Sequence, residues 1–220
     1  MIGKADILMD GVHYGWSYLS VAEITKQAAD LIDRALSKSS GSAKAHYAHY
    51  VKGNILLYGH PEEALAEYDA ALEINPNFHP AYATKGFAVT FSGRARDAIP
   101  LFQLALRISP KDPDAYLWHF GLCQAHLHLH EYKEAIEECR RSMNMNNSFV
   151  GHYIYLISAY GATGQMQQAR QALAELNKRQ SNVTVQSYRQ FKYAFSSNPQ
   201  YRREIDDIVE GLRKGGIPEY

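Results

Sequence analysis

The chain is 220 residues long and 46 % hydrophobic, and it balances 23 lysines and arginines against 23 aspartates and glutamates for a formal net charge of +0. That apolar content excludes a disordered chain, and the neutral balance gives no general attraction to nucleic acid or to an anionic membrane. No apolar run approaches the roughly 20 residues needed to cross a bilayer, and Lys4, Asp6 and Asp10 interrupt any leader-like apolar stretch. Two cysteines cannot build a disulfide framework, so a reducing, cytoplasmic setting is expected.

The first predicted helix pair, over 10–40, is the least regular. Its opening helix runs through 12–19, with Tyr14 and Trp16 supplying bulk, and its second carries Ala28, Ile32 and Ala35 on an apolar face with Leu31 and Leu36. The serine-rich stretch 37–42 then reads as an exposed loop between repeats. Two regular pairs fill 45–110 and are closed by Asn75-Pro76 and Ser109-Pro110, where proline resists continuation of a helix. The pair at 111–147 is longer, with its extra residues expected in the first helix or the loop leading to it. There Asp112-Pro113-Asp114 is expected to cap the first helix, and Cys139 and Ser142 stand where the other pairs have an aromatic and an alanine. The pair at 149–180 keeps Tyr153, Tyr160, Gly164 and Ala169 but has Leu176 at the second alanine position. The remainder, 183–220, holds helices at 183–196 and 201–214. The second of these is amphipathic through Ile205, Ile208, Val209 and Leu212, an i, i+3, i+4, i+7 face suited to sealing an exposed apolar end.

Ala28, Ala64, Ala98, Ala135 and Ala169 mark one point in each pair, at spacings of 36, 34, 37 and 34 residues. Thirty-four is the period of the tetratricopeptide repeat, TPR. Small residues such as Gly86 and Ala98 let the two helices of a unit cross closely, and Tyr68 or Phe102 fills the wedge between them. Ala71 or Ala105 then admits the next unit. The whole chain therefore reads as a single all-α TPR solenoid of about five helical hairpins with a C-terminal capping helix.

Three segments also carry a resemblance to a known family: Leu56-Leu57-Tyr58-Gly59-His60-Pro61-Glu62-Glu63-Ala64-Leu65, the run Leu106-Arg107-Ile108-Ser109-Pro110-Lys111-Asp112-Pro113 leading toward Trp118, and the tail Gly211-Leu212-Arg213-Lys214-Gly215-Gly216-Ile217-Pro218-Glu219. Over 10–219 the chain resembles the C-terminal TPR region of bacterial class III adenylate/guanylate cyclase-like proteins. That family places its catalytic domain ahead of the repeats, so the resemblance implies a non-catalytic, regulatory region and carries over no catalytic residue.

No cofactor is expected, and the sequence offers no nucleophile–base pair or phosphate loop, so the protein is read as no enzyme. His126, His128 and His130 are the one metal-like cluster, with His126 and His130 a helical turn apart and Glu131 or His119 in reach. The plainer reading places one histidine on the inner face and the others in water or at the helix C-terminus, and no metal is assigned. Cys123 and Cys139, on paired helices, read as packing residues. Lys52-Gly53-Asn54 suggests a carboxylate-gripping clamp, but counted back from Ala64 it puts Lys52 at the small-residue position, out of register.

The concave surface, lined by the first helix of each unit, is the expected site. The register puts His46, His49, Phe87, Thr90, Phe120, Gln124, Ile154, Tyr155 and Ser158 there, with Gly53 and Ala83 between them. This aromatic, weakly charged set suits a protein or peptide partner with apolar anchors, although each side chain can equally serve to pack neighbouring units. The 16 tyrosines also leave self-association into a homo-oligomer open.

Overall fold

Residues 21–39 and 45–220 are described by the computed structural model; the predicted helix at 12–19 lies outside them. The described chain is all-helical: α1 (Val21–Ser39), α2 (Ala45–Leu56), α3 (Pro61–Ile74), α4 (His79–Phe91), α5 (Ala95–Ile108), α6 (Ala115–His128), α7 (Tyr132–Met145), α8 (Gly151–Ala162), α9 (Met166–Arg179), α10 (Val185–Tyr193) and α11 (Pro199–Lys214). α1 is the second helix of the first unit. The pairs α2–α3, α4–α5, α6–α7 and α8–α9 form the next four, and from α2 to α8 each helix packs on its predecessor and successor in the chain.

The repeat chemistry acts as its spacing implies. Ala28, Ala64, Ala98, Ala135 and Ala169 are all buried at helix crossings. Phe102 is fully buried in a slot that only glycine leaves open, because a Cβ on Gly86 would come within 2.7 Å of its ring. Gly121 of the next unit faces the same ring from the other side. In the preceding unit Gly53 meets the Tyr68 ring in the same way. That corrects the register read from the sequence, since Gly53 rather than Lys52 fills the small-residue position. Lys52 instead bonds Asp33 and Glu67, and Asn54 accepts the Tyr68 hydroxyl.

Each hairpin turns through a left-handed residue: Gly59, Gly93, His130 and Gly164 all have positive φ. Glycine takes this conformation at little cost, and His130, at φ 58°, replaces it in the α6–α7 unit. The extra length of that unit lies mainly ahead of α6, where the connecting loop grows from 75–78 to 109–114. Asp114 sits at the N-cap of α6, but its side chain makes no capping bond. Asp112 takes the ordering role instead, accepting the Asp114 amide at 2.8 Å and pairing with His79 at 2.8 Å.

The last two helices depart from the stack. α11 starts on a true cap, with the Asn198 side chain accepting the amides of Gln200 and Tyr201. It buries Ile205, Ile208, Val209 and Leu212 as its amphipathic pattern requires. It covers apolar surface, as a cap does, but that surface is α8 and part of α6 rather than the outer side of α9. α10, opened by a Thr184–Ser187 capping box, lies beside α11.

Candidate partner-binding groove

The concave face is built by α2, α4, α6 and α8, and the α10–α11 hairpin lies across one side of it. The seating of α11 on α8 depends on the absence of side chains: a Cβ on Gly211 would approach the Ser158 hydroxyl within 2.5 Å, and Gly161 faces the Gly211 carbonyl directly. The Ser158 hydroxyl donates to the Ile208 carbonyl at 2.8 Å. Farther along, His128 donates through Nδ1 to the Glu204 carboxylate at 2.8 Å and stacks on Tyr201 at 5.6 Å. The loop after α10 reaches the far units. Phe195 packs on Tyr58 at 4.6 Å and on Phe91 at 5.1 Å, and its carbonyl accepts the Gly59 amide.

This arrangement sorts the residues expected in the groove. Ser158 is buried beneath α11. Gln124 and Tyr155 are buried side by side, the Gln124 amide donating to the Tyr155 hydroxyl. Thr90 is buried and donates to the Gly86 carbonyl of its own helix. His49 turns toward its own unit and meets Glu67 at 2.7 Å, just as His119 meets Glu138 at 2.6 Å. Phe120 packs against Phe149 and Tyr155, with ring centroids 4.9 and 5.1 Å away. His46, Phe87 and Ile154 are half-buried, with His46 against Phe78 and Phe87 against Phe102. The open part of the face is thus narrower than the register implies, because the chain's own hairpin covers the rest.

The histidine run comes apart in three dimensions. His126 bonds Glu131 at 2.7 Å, His128 is buried on Glu204, and His130 sits in the left-handed turn near Tyr132 and Asp207. Among the described residues no three His, Cys, Asp or Glu side chains converge as metal ligands. Burial holds the His128 imidazole below its ordinary pKa, with the Glu204 bond opposing, so it is neutral at pH 7. Burial also pushes the Tyr188 and Tyr201 phenols up.

Cys123 and Cys139 are disulfide-bonded, with Cα atoms 5.1 Å apart, which corrects the reading of both as packing thiols. They occupy the places that Gly86 and Phe102 hold in the preceding unit, where α6 and α7 cross. The sequence reading also missed Lys192, Tyr188 and Phe195. Tyr188 and Lys192 lie one turn apart on α10 and Phe195 follows in the loop after it, and the four-residue spacing of the first two was the available signal.

A sequence profile described as "Anaphase-promoting complex, cyclosome, subunit 3" matches residues 92–176. No curated protein sequence matches the chain. Among solved structures, the fold is similar to PilW, described as a widely conserved type IV pilus biogenesis factor, with a TM-score of 0.68, 18 % identity, and 96 % of this chain and 95 % of that one covered. It is similar to pilF of Pseudomonas aeruginosa, with a TM-score of 0.65 and 16 % identity over 92 % of this chain and 87 % of that one. It is also similar to YrrB, described as a TPR protein with an unusual peptide-binding site, with a TM-score of 0.54 and 19 % identity over 84 % of this chain and 94 % of that one. The chain has an all-helical, TPR-like solenoid fold, and no helix among the described residues is long and apolar enough to cross a membrane.

Proposed function

We propose that this chain is a non-enzymatic protein-interaction module, regulatory or scaffolding, that holds a peptide or a partner helix on the open part of its concave face. The observation that carries the reading is α11. An amphipathic helix already lies on this face, seated by Gly161, Ser158 and Gly211, so the surface has the shape and apolarity to accept a helix. Beside it, the half-buried Phe87 and Ile154 offer apolar positions on first helices, and Phe120, buried against Phe149 and Tyr155, lies on the first helix between them. The similarity to a type IV pilus biogenesis factor and to a TPR protein with a peptide-binding site supports an assembly role. The cyclase-like resemblance supports a regulatory one, and a cyclase-type catalytic domain encoded beside this chain would favour that form. The Cys123–Cys139 bond supports an oxidising compartment over the cytoplasm expected from cysteine number.

Panning a random-peptide library on the purified chain tests the reading. Selected peptides should lose about fivefold or more in affinity on Phe87→Ala, the loss of more than about 1 kcal/mol typical of an interface aromatic. Peptides indifferent to Phe87→Ala and Phe120→Ala would move the interface off the concave face.

A further inference from the structure

α6 is held between two unlike fastenings. Toward α5 it meets the Phe102 ring, which fits against Gly121. Toward α7 it is joined by the Cys123–Cys139 bond, whose residues are 1 % and 0 % exposed. A cysteine side chain fills far less space than a phenylalanine ring, so with the bond cut this crossing has no wedge of its own. The next stripe of α6 faces the C-terminal hairpin. Phe120, Gln124 and His128 follow one another at four-residue spacing along one side of the helix. Phe120 packs on Tyr155 and the Gln124 amide donates to the Tyr155 hydroxyl, while His128 donates to Glu204 of α11 and stacks on Tyr201. Glu204 is 6 % exposed, and among the described residues its carboxylate accepts from His128 at 2.8 Å and from Gln200 of its own helix at 2.7 Å. Its hydrogen bond to the repeats is therefore the one from α6.

A buried carboxylate that loses such a bond is costly, so the N-terminal half of α11 responds to small displacements of α6. The C-terminal half is insulated from them, because Gly161, Ser158 and Gly211 seat it on α8. We infer that the Cys123–Cys139 bond is a redox-sensitive fastening for the hairpin. Oxidised, it holds α6 where His128 meets Glu204. Reduced, it lets α6 shift, frees the first half of α11 with the Phe195 loop before it, and uncovers that side of the concave face. A dithiol reductant supplies the two electrons and two protons. Its thiolate attacks one cysteine sulfur, and the other leaves as a thiolate and takes a proton. The second thiol of the reductant then attacks the mixed disulfide and releases the remaining cysteine, so one dithiol becomes a disulfide as the protein bond becomes two thiols. Both sulfurs are buried, so the attack follows an opening of the α6–α7 crossing and is slow. This coupling holds whether or not the open groove takes a peptide.

The test is amide hydrogen exchange, followed by NMR, on the oxidised full chain and on the same chain after a dithiol has added two hydrogens to its mass. Amides over 202–205 should exchange about tenfold or more faster in the reduced chain, while those over 209–212 stay within about twofold. Cys123→Ala with Cys139→Ala should show the fast pattern and ignore the dithiol. His128→Gln in the oxidised chain should speed the same amides from the other end of the link, and reducing that variant should add little, because the link is already cut. Unchanged protection over 202–205 in the reduced chain, with α7 loosened, would overturn the coupling and leave the bond serving its own crossing. Equal acceleration in every helix would overturn it too, since the bond would then hold the whole fold. Effects of reduction and of His128→Gln that multiply independently would do the same by showing two separate routes.

Discussion

The α4–α5 and α6–α7 units are built on one plan and held by different chemistry. In the first, a glycine and a large aromatic make the crossing: Gly86 has no side chain, and Phe102 fills the space against it. In the second, the same two places hold Cys123 and Cys139, and a covalent bond replaces the wedge. The turns differ likewise. Gly93 takes positive φ at little cost, and His130 takes it with a side chain attached. The repeat therefore fixes where helices cross and not which force holds them there.

Breaking each crossing should expose that difference. Phe102→Ala empties a fully buried ring site bounded by Gly86 and Gly121, and should cost about 3–5 kcal/mol in urea unfolding. A loss below about 1 kcal/mol would show that the neighbouring helices collapse into the space. Removing the bond in the other unit, as Cys123→Ala with Cys139→Ala, frees a loop of sequence separation 16 and should cost about 3 kcal/mol. A reducing agent should produce most of the same loss in the unmodified chain and none in the double variant. An unmodified chain indifferent to reductant would show that packing alone closes the α6–α7 crossing. Ala98→Leu, at a fully buried contact between α4 and α5, should cost about 1–3 kcal/mol through overpacking. The equivalent Ala135→Leu should cost less in reduced than in oxidised protein, because the disulfide otherwise resists separation of the helices.

These variants also mark what can be read from the sequence. The crossings are legible because alanine, glycine and aromatic residues recur at spacings that only close helix packing requires. The one-residue slip at Gly53 arises because α2 runs one residue shorter from its small residue to the turn than α4 does, so counting from Ala64 overshoots. The amphipathic face of α11 announces burial but names no partner surface. That partner is α8, selected by Gly161 and Gly211 about fifty residues apart, a match visible only once the chain is folded. The register puts the expected groove residues on first helices, where the structure has them, yet it leaves Gln124, Tyr155 and Ser158 open because nothing in it tells which way the hairpin returns. The disulfide is legible as proximity and not as a bond, since two cysteines at a packing position look the same whether oxidised or reduced.

The smallest effect is the most discriminating. His130→Gly relieves a left-handed conformation that costs a side-chain-bearing residue about 1–2 kcal/mol, while the greater freedom of glycine in the unfolded chain returns part of that gain. The substitution removes a 3.0 Å hydrogen bond to the Tyr132 hydroxyl and a 3.5 Å approach to Asp207, and both are exposed interactions of the kind that contribute little. The net change should be a stabilisation of up to about 1 kcal/mol. Gly93→Ala should act in the opposite direction, because φ is +72° and the new Cβ would stand 2.7 Å from Asn198 Oδ1, the atom that caps α11. Its destabilisation should therefore appear both in urea unfolding and as faster amide exchange in the first turn of α11. If His130→Gly instead destabilises the chain, the Tyr132 and Asp207 interactions hold that turn, and the α6–α7 unit has replaced its glycine with a bonded side chain just as it replaced its wedge with a disulfide.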